Sequence, residues 1–122
     1  MDEEELFLNG IKAFNKKKFY EAHEYWEEIW TEINVDDSIF FQGLIQLAVG
    51  YFHITNNNIK GAKSLFNKSI EKLNKFIPLH RNINVNELIE FANMSIQDLD
   101  KHNTIQKFNW KLVPQLKYRK ND

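Results

Sequence analysis

From Ile39 to Phe52 the chain carries no charged side chain. As a helix this stretch is apolar nearly all round, and such a helix is stable only when other elements cover every side of it. That requirement sets an architecture of one central helix with a shell around it. Ten Phe, three Trp and an apolar fraction of 43% supply the material. Two Pro and four Gly leave long stretches without a breaker, which argues against a turn-rich β fold. At 122 residues the chain reads as one domain. The expectation is an all-α, compact bundle of about five helices. Two stacked antiparallel α-hairpins form its core, about residues 6–76, and a C-terminal helix and extended arm follow at about 84–118.

Helical spacing predicts a first helix from Leu6 to Asn15, with Phe7, Ile11 and Phe14 on one face. The carboxylates from Asp2 to Glu5 suit its N-terminus, where backbone amides favour negative charge. A second helix runs from about Phe19 to about Ile33. Phe19, Ala22, Trp26, Ile29 and Ile33 point inward, while Glu21, Glu24, Glu28 and Glu32 face water. A turn from Asn34 to Asp37, capped by Asp36, Asp37 or Ser38, leads into the central helix, Ser38 to Ile54. Asn56, Asn57 and Asn58 break the chain again. A fourth helix covers about Ile59 to Phe76, with Ala62, Leu65, Phe66, Ile70 and Leu73 inward and its lysines outward. Pro78 closes that region, and Leu79 to Ile83 reads as a loop. Asn84-Val85-Asn86-Glu87 has the form of a capping box that opens a fifth helix. From about Asn103 onward Phe108, Trp110 and Leu112 alternate with polar residues. This predicts an extended arm, laid over its own bundle or serving a homodimer or other protein partner.

The chain also echoes itself. A displacement of 40 residues lays Gly10 to Phe14 on Gly50 to Ile54, Phe19 on Ile59, Ala22 on Ala62, Trp26 on Phe66 and Ile33 on Leu73. Each copy reads helix, turn, helix, with a small residue where the hairpin closes. This is similar to a tetratricopeptide repeat, although the period there is about 34 and arrays need three or more copies. Two copies predict a closed bundle rather than an open solenoid.

The polar exceptions on these helices are the candidates for function. His23 and Glu27 lie one turn apart on the flank of the second helix's apolar face, with Trp30 in line. On the central helix Gln42, Gln46 and His53 share one stripe, beside Gly43 and Gly50, two glycines that point to close helix approach. In an antiparallel pair, residues whose numbers sum to roughly 70 lie level, given equal rise along the two helices. Glu27 then stands near Gly43 and His23 near Leu47, while His53 is higher, near Lys17 to Tyr20.

Two readings follow. In one, Glu27 accepts from His23 and from both glutamine amides, because a buried polar group without a partner costs about 1–3 kcal/mol. In the other, His23, Glu27 and His53 ligate a divalent transition metal (Zn, Fe, Mn or Ni), Gln42 and Gln46 orient them, and Trp30 walls the pocket. Glu27 would then be the general base of a metal-assisted hydrolysis. The stretch is not a zincin motif, since Glu27 stands where the second His belongs. For Trp30, core packing is the stronger expectation. Trp26 and Trp110 read as core, and His80 and His102 as exposed.

Several classes are disfavoured. Sixteen basic against 17 acidic side chains give a formal charge of −1, without the basic excess of a nucleic-acid binder. Without Cys there is no disulfide framework and no thiol nucleophile. The acidic N-terminus is unlike a secretory leader, and no apolar run approaches the ~20 residues of a membrane span. These point to a cytoplasmic protein without nucleic acid or membrane as partner.

Glu21-Ala22-His23-Glu24 with Glu27 and Trp30, then Phe41-Gln42-Gly43-Leu44-Ile45-Gln46-Leu47-Ala48, His53 and Gly61-Ala62, resemble a bacterial and archaeal family. It is domain-of-unknown-function family 309, whose hallmark is His-x-x-x-Glu-x-x-Trp/Tyr. Here those positions are His23, Glu27 and Trp30, and the resemblance runs from roughly Leu6 to Leu73. It implies an all-α bundle and a metal-binding part for the motif, and no activity. A different class, an interaction module that holds a partner helix or peptide, stands beside it.

Overall fold

In the computed structural model, which describes residues 1–32, 35–102 and 107–118, the apolar periodicity becomes five α-helices. They are α1 (Glu3–Asn15), α2 (Phe19–Glu32), α3 (Val35–Thr55), α4 (Ile59–Leu73) and α5 (Val85–His102). The uncharged stretch lies in α3, which packs between α2 and α4. α1 covers α2, and α5 covers α4. Phe40, Phe41, Leu44, Leu47, Ala48, Tyr51 and Ile54 of α3 are fully enclosed. By length and composition Asp37–Thr55 is apolar enough to cross a membrane, contrary to the expectation of no such run. Half of it is buried inside the bundle, and the core helices of soluble proteins pass the same test.

Capping decides the helix ends. α1 begins earlier than predicted because Asp2 accepts from the Glu5 amide (2.8 Å), with Glu3, Glu4 and Glu5 in the first turn. α4 starts where Asn58 accepts from the Gly61 amide (2.8 Å), and α5 where Asn84 accepts from the Glu87 amide (3.1 Å). α3 begins at Val35, so Asp37 sits in its first turn rather than in a connecting loop. Residues 33–34 of the predicted turn, and the side chains of Glu32 and Asp36, lie outside the described residues. α4 ends at Leu73 and tightens into a 3-10 turn, Asn74–Phe76.

The 40-residue echo is reproduced atom by atom at the two hairpin closures. Lys17 and Asn57 both adopt left-handed φ, 61° and 58°. Around them the Lys18 amide bonds the Ala13 carbonyl (2.9 Å) and the Asn58 amide bonds the His53 carbonyl (2.8 Å). The helix contacts repeat as well. A Cβ at Gly10 would collide with the Trp26 indole, and one at Gly50 would stand 2.6 Å from Phe66 Cε1. Each glycine is therefore the notch that admits its partner helix's large aromatic, and the Ser69 hydroxyl bonds the Gly43 carbonyl (2.7 Å) across the same α3–α4 seam.

Beyond α4 the sequence expectation needs correcting. Residues 79–83 are not an open loop but most of a two-stranded antiparallel hairpin, β1 (Leu79–His80) and β2 (Ile83–Asn84), pairing Leu79 with Asn84 and His80 with Ile83. Arg81 and Asn82 form its two-residue turn, both at left-handed φ (48° and 63°), as the twist of a tight hairpin demands. The arm lies on its own bundle, with Phe108, Val113 and Leu116 buried. Its backbone is pinned by Asn15, whose side chain accepts from the Leu116 amide (2.8 Å) and donates to the Leu116 carbonyl (3.0 Å). The Tyr51 hydroxyl donates to the Leu112 carbonyl (3.0 Å) in the 3-10 turn Trp110–Leu112, and lies 2.9 Å from Ser95 Oγ. Trp110, expected in the core, is only partly buried and stacks on Phe19 (6.3 Å between ring centres). Residues 103–106, where the arm was expected to start, and 119–122 of the charged end lie outside the described residues.

Candidate functional site

Phe19, Ala22, Trp26 and Ile29 turn the inner face of α2 into the core, each 2% exposed or less. One helical line over, at steps of 4 and 3, come His23, Glu27 and Trp30. This line borders α3, on which Gln42, Ile45 and Gln46 form a partly buried stripe. Glu27, Trp30, Gln42, Ile45 and Gln46 together line a groove of about 180 Å³. The level of Glu27 against Gln42 and Gln46 is the one that antiparallel register predicts.

His23 is held on both sides. Its Nε2 lies 2.6 Å from Glu27 Oε2 and its Nδ1 3.2 Å from the Tyr20 carbonyl. Both ring nitrogens face oxygens of the chain itself, so neither is aimed into open space. The pair is half exposed at its carboxylate end, His23 at 19% and Glu27 at 49%. On its outer side a second groove of about 370 Å³ is lined by Tyr20, His23, Glu24, Glu27, Glu28 and Thr31. Glu27 borders both grooves.

The expected network is only partly formed. Glu27 takes His23, but neither glutamine donates to it, and Gln46 Oε1 is buried with no hydrogen-bond partner. Trp30 is a correction: it is 40% exposed, outside the core, and forms the groove wall. His53 lines neither groove. It follows Gln46 by seven residues, roughly 10 Å along the helix axis, and its Nδ1 meets Asn58 Nδ2 at 3.5 Å. The Tyr20 ring packs 5.2 Å from His23 and 5.3 Å from Phe52, the residue before His53. Among the described residues no group of three His, Asp or Glu side chains stands close enough to hold a metal ion. His23 and Glu27 supply two donors, already bonded to each other, where a catalytic transition-metal centre takes about three protein ligands.

Residues 7–65 match the family model described as Domain of unknown function (DUF309). This part of the chain is similar to the DUF309 family. The matched span carries most of α1, all of α2 and α3 and the first half of α4, and so holds every residue of both grooves. The hairpin, α5 and the arm lie beyond the DUF309 match. A comparison with curated proteins finds no match to the chain.

A second polar cluster escaped sequence reasoning. His80, expected exposed, sits between the Phe40 and Phe76 rings (4.5 and 4.7 Å), with Nε2 2.6 Å from Asp37 Oδ1. Arg81 donates to Asp37 and to Glu3 and lies over the Phe41 ring (4.7 Å). Burial works against the Arg81 charge. Its hydrogen bonds to Asp37 and Glu3, with their negative field, outweigh that and hold its pKa above the ordinary value. A groove of about 430 Å³ opens beside it, lined by Asp2, Glu3, Glu4, Phe7, Arg81, Asn82 and Tyr118. Because Arg81 is matched by the chain's own carboxylates, the cluster works as a clasp that ties the hairpin to α1 and α3. The one sequence signal for it was His80-Arg81-Asn82 between two apolar residues, a turn with charges at its tip.

Proposed function

We propose that the α2–α3 groove of this DUF309-like domain is a recognition site for a hydrogen-bond-donating group, and that the chain acts as a binding module. The observation that carries this is Gln46 Oε1, a buried acceptor without a donor, on a side chain that lines the groove together with Glu27. A buried acceptor left unmet costs about 1–3 kcal/mol, a cost that a purely structural position has no reason to keep. Rotation about the last Gln torsion, a broad one, presents the oxygen to the groove. The metal reading has less support, because His23 spends both nitrogens on oxygens of its own chain and His53 stands apart.

Gln46→Met keeps the length of the side chain and removes its polar atoms, so it separates this reading from that of a structural network. A recognition site predicts a chain as stable or more stable, with a gain of up to about 1 kcal/mol in urea unfolding. A loss of that size would make Gln46 a structural member of the bundle and overturn the reading.

A further inference from the structure

Resting on that reading, we propose that the group the groove takes is a guanidinium, carried by an arginine of a partner protein. Glu27 Oε2 is taken by His23, and among the described residues no other side chain bonds Glu27. The groove thus offers a Glu27 carboxylate oxygen from one helix and, once the Gln46 amide rotates, its now-buried oxygen from the other, with the Trp30 indole as a wall. A guanidinium is planar, carries five N–H donors in a fixed fork, and stacks on aromatic faces; an ammonium is compact and more strongly hydrated. Half-exposed Trp30 is the best kind of ring for such a cation. Size agrees: about 180 Å³ holds a side-chain end group, whereas sites for whole small-molecule ligands run to ~300–1,000 Å³. Charge agrees too. Glu24 and Glu28 join Glu27 on the outer groove, and neither groove is lined by a Lys or Arg that would repel a cation. Arg81 of a second copy is an unsuitable donor, because Asp37 and Glu3 already hold it.

The test uses the full chain labelled with 15N and four capped five-residue peptides, alanine except for a central Arg, Lys, citrulline or Glu. The reporters are the Trp30 indole N–H and the Gln46 side-chain amide. The Arg peptide should shift both, and Glu27→Gln, at an exposed position that keeps the fold, should weaken it roughly tenfold, or about 1.4 kcal/mol. Citrulline, which keeps the shape and loses the charge, should bind at least that much more weakly, and Lys should fall between. If citrulline or Lys equals Arg, the guanidinium assignment falls and the donor-group reading stands. If no peptide shifts either reporter, the guanidinium assignment falls, and the stability of Gln46→Met decides separately whether the groove reading falls with it. Self-association in sedimentation that Glu27→Gln abolishes would assign the groove to a second copy and overturn the proposal.

Discussion

His23 and Tyr51 show how position sets the worth of a polar residue. The His23–Glu27 pair is an i, i+4 contact with its carboxylate half in water, so solvent screens it. Such pairs contribute about 0.3–0.5 kcal/mol. His23→Ala should therefore lower the melting temperature by only a degree or two, and the difference should shrink in high salt. A loss of many degrees would revive the structural network. Tyr51 is the opposite case. Burial pushes its pKa up, countered only in part by the Ser95 hydrogen bond. An unfolded tyrosine ionises near pH 10. The folded chain keeps the proton beyond that point, so the contribution is whole below about pH 10 and is lost as pH rises further. Tyr51→Phe should cost about 0.5–1.5 kcal/mol at neutral pH. It should also show a shallower decline in melting temperature from about pH 9 to about pH 11. Parallel declines in both chains would place the alkaline sensitivity elsewhere.

Among elements, the repeat supplies the sharpest expectation. Gly50→Ala gains helix propensity, about 1 kcal/mol, but its methyl would enter the Phe66 ring, which is fully enclosed and has nowhere to move. Overpacking of that kind costs ~1–3 kcal/mol, so a net loss is expected, with a melting temperature several degrees lower. Gly10→Ala should behave alike, because Trp26 stands in the same relation to α1 and its indole N–H bonds the Phe7 carbonyl (3.3 Å). A rise in melting temperature for either would show that the seams are loose. These seams were legible in the sequence, since small residues and large aromatics recur at the same offset. The hairpin was not. Its strands are two residues each, too short for a period to register, and the turn conformation of Arg81 and Asn82 follows from strand twist and the carboxylates it faces.

For the molecule as a whole, the arm closes what the four-helix core leaves open. Phe108, Val113 and Leu116 are buried, and burying such side chains is worth about 1.5–3 kcal/mol each. Together they rival a small domain's entire net stability of ~5–15 kcal/mol. A chain shortened to residues 1–102 should lose its cooperative urea transition or show a much lower midpoint, with Phe19 and Tyr51 uncovered. An unchanged midpoint would mean that the arm packs without stabilising.

The amino-acid order by itself determined that α3 is central, which helices surround it, where they pair and that His23 and Glu27 share a line, because helical periodicity and register are local properties of the chain. Tertiary structure alone decided which of the polar residues meet. Trp30 is pushed outward because Trp26 and Ile29 already fill the core side of α2. His53 is separated by its height on α3. Asp37, Glu3, His80 and Arg81, far apart in sequence, come together because the hairpin folds back across two helix starts. Gln46 illustrates the division: its stripe could be read from spacing, while the missing donor of its Oε1 depends on which side chains reach it in the folded chain.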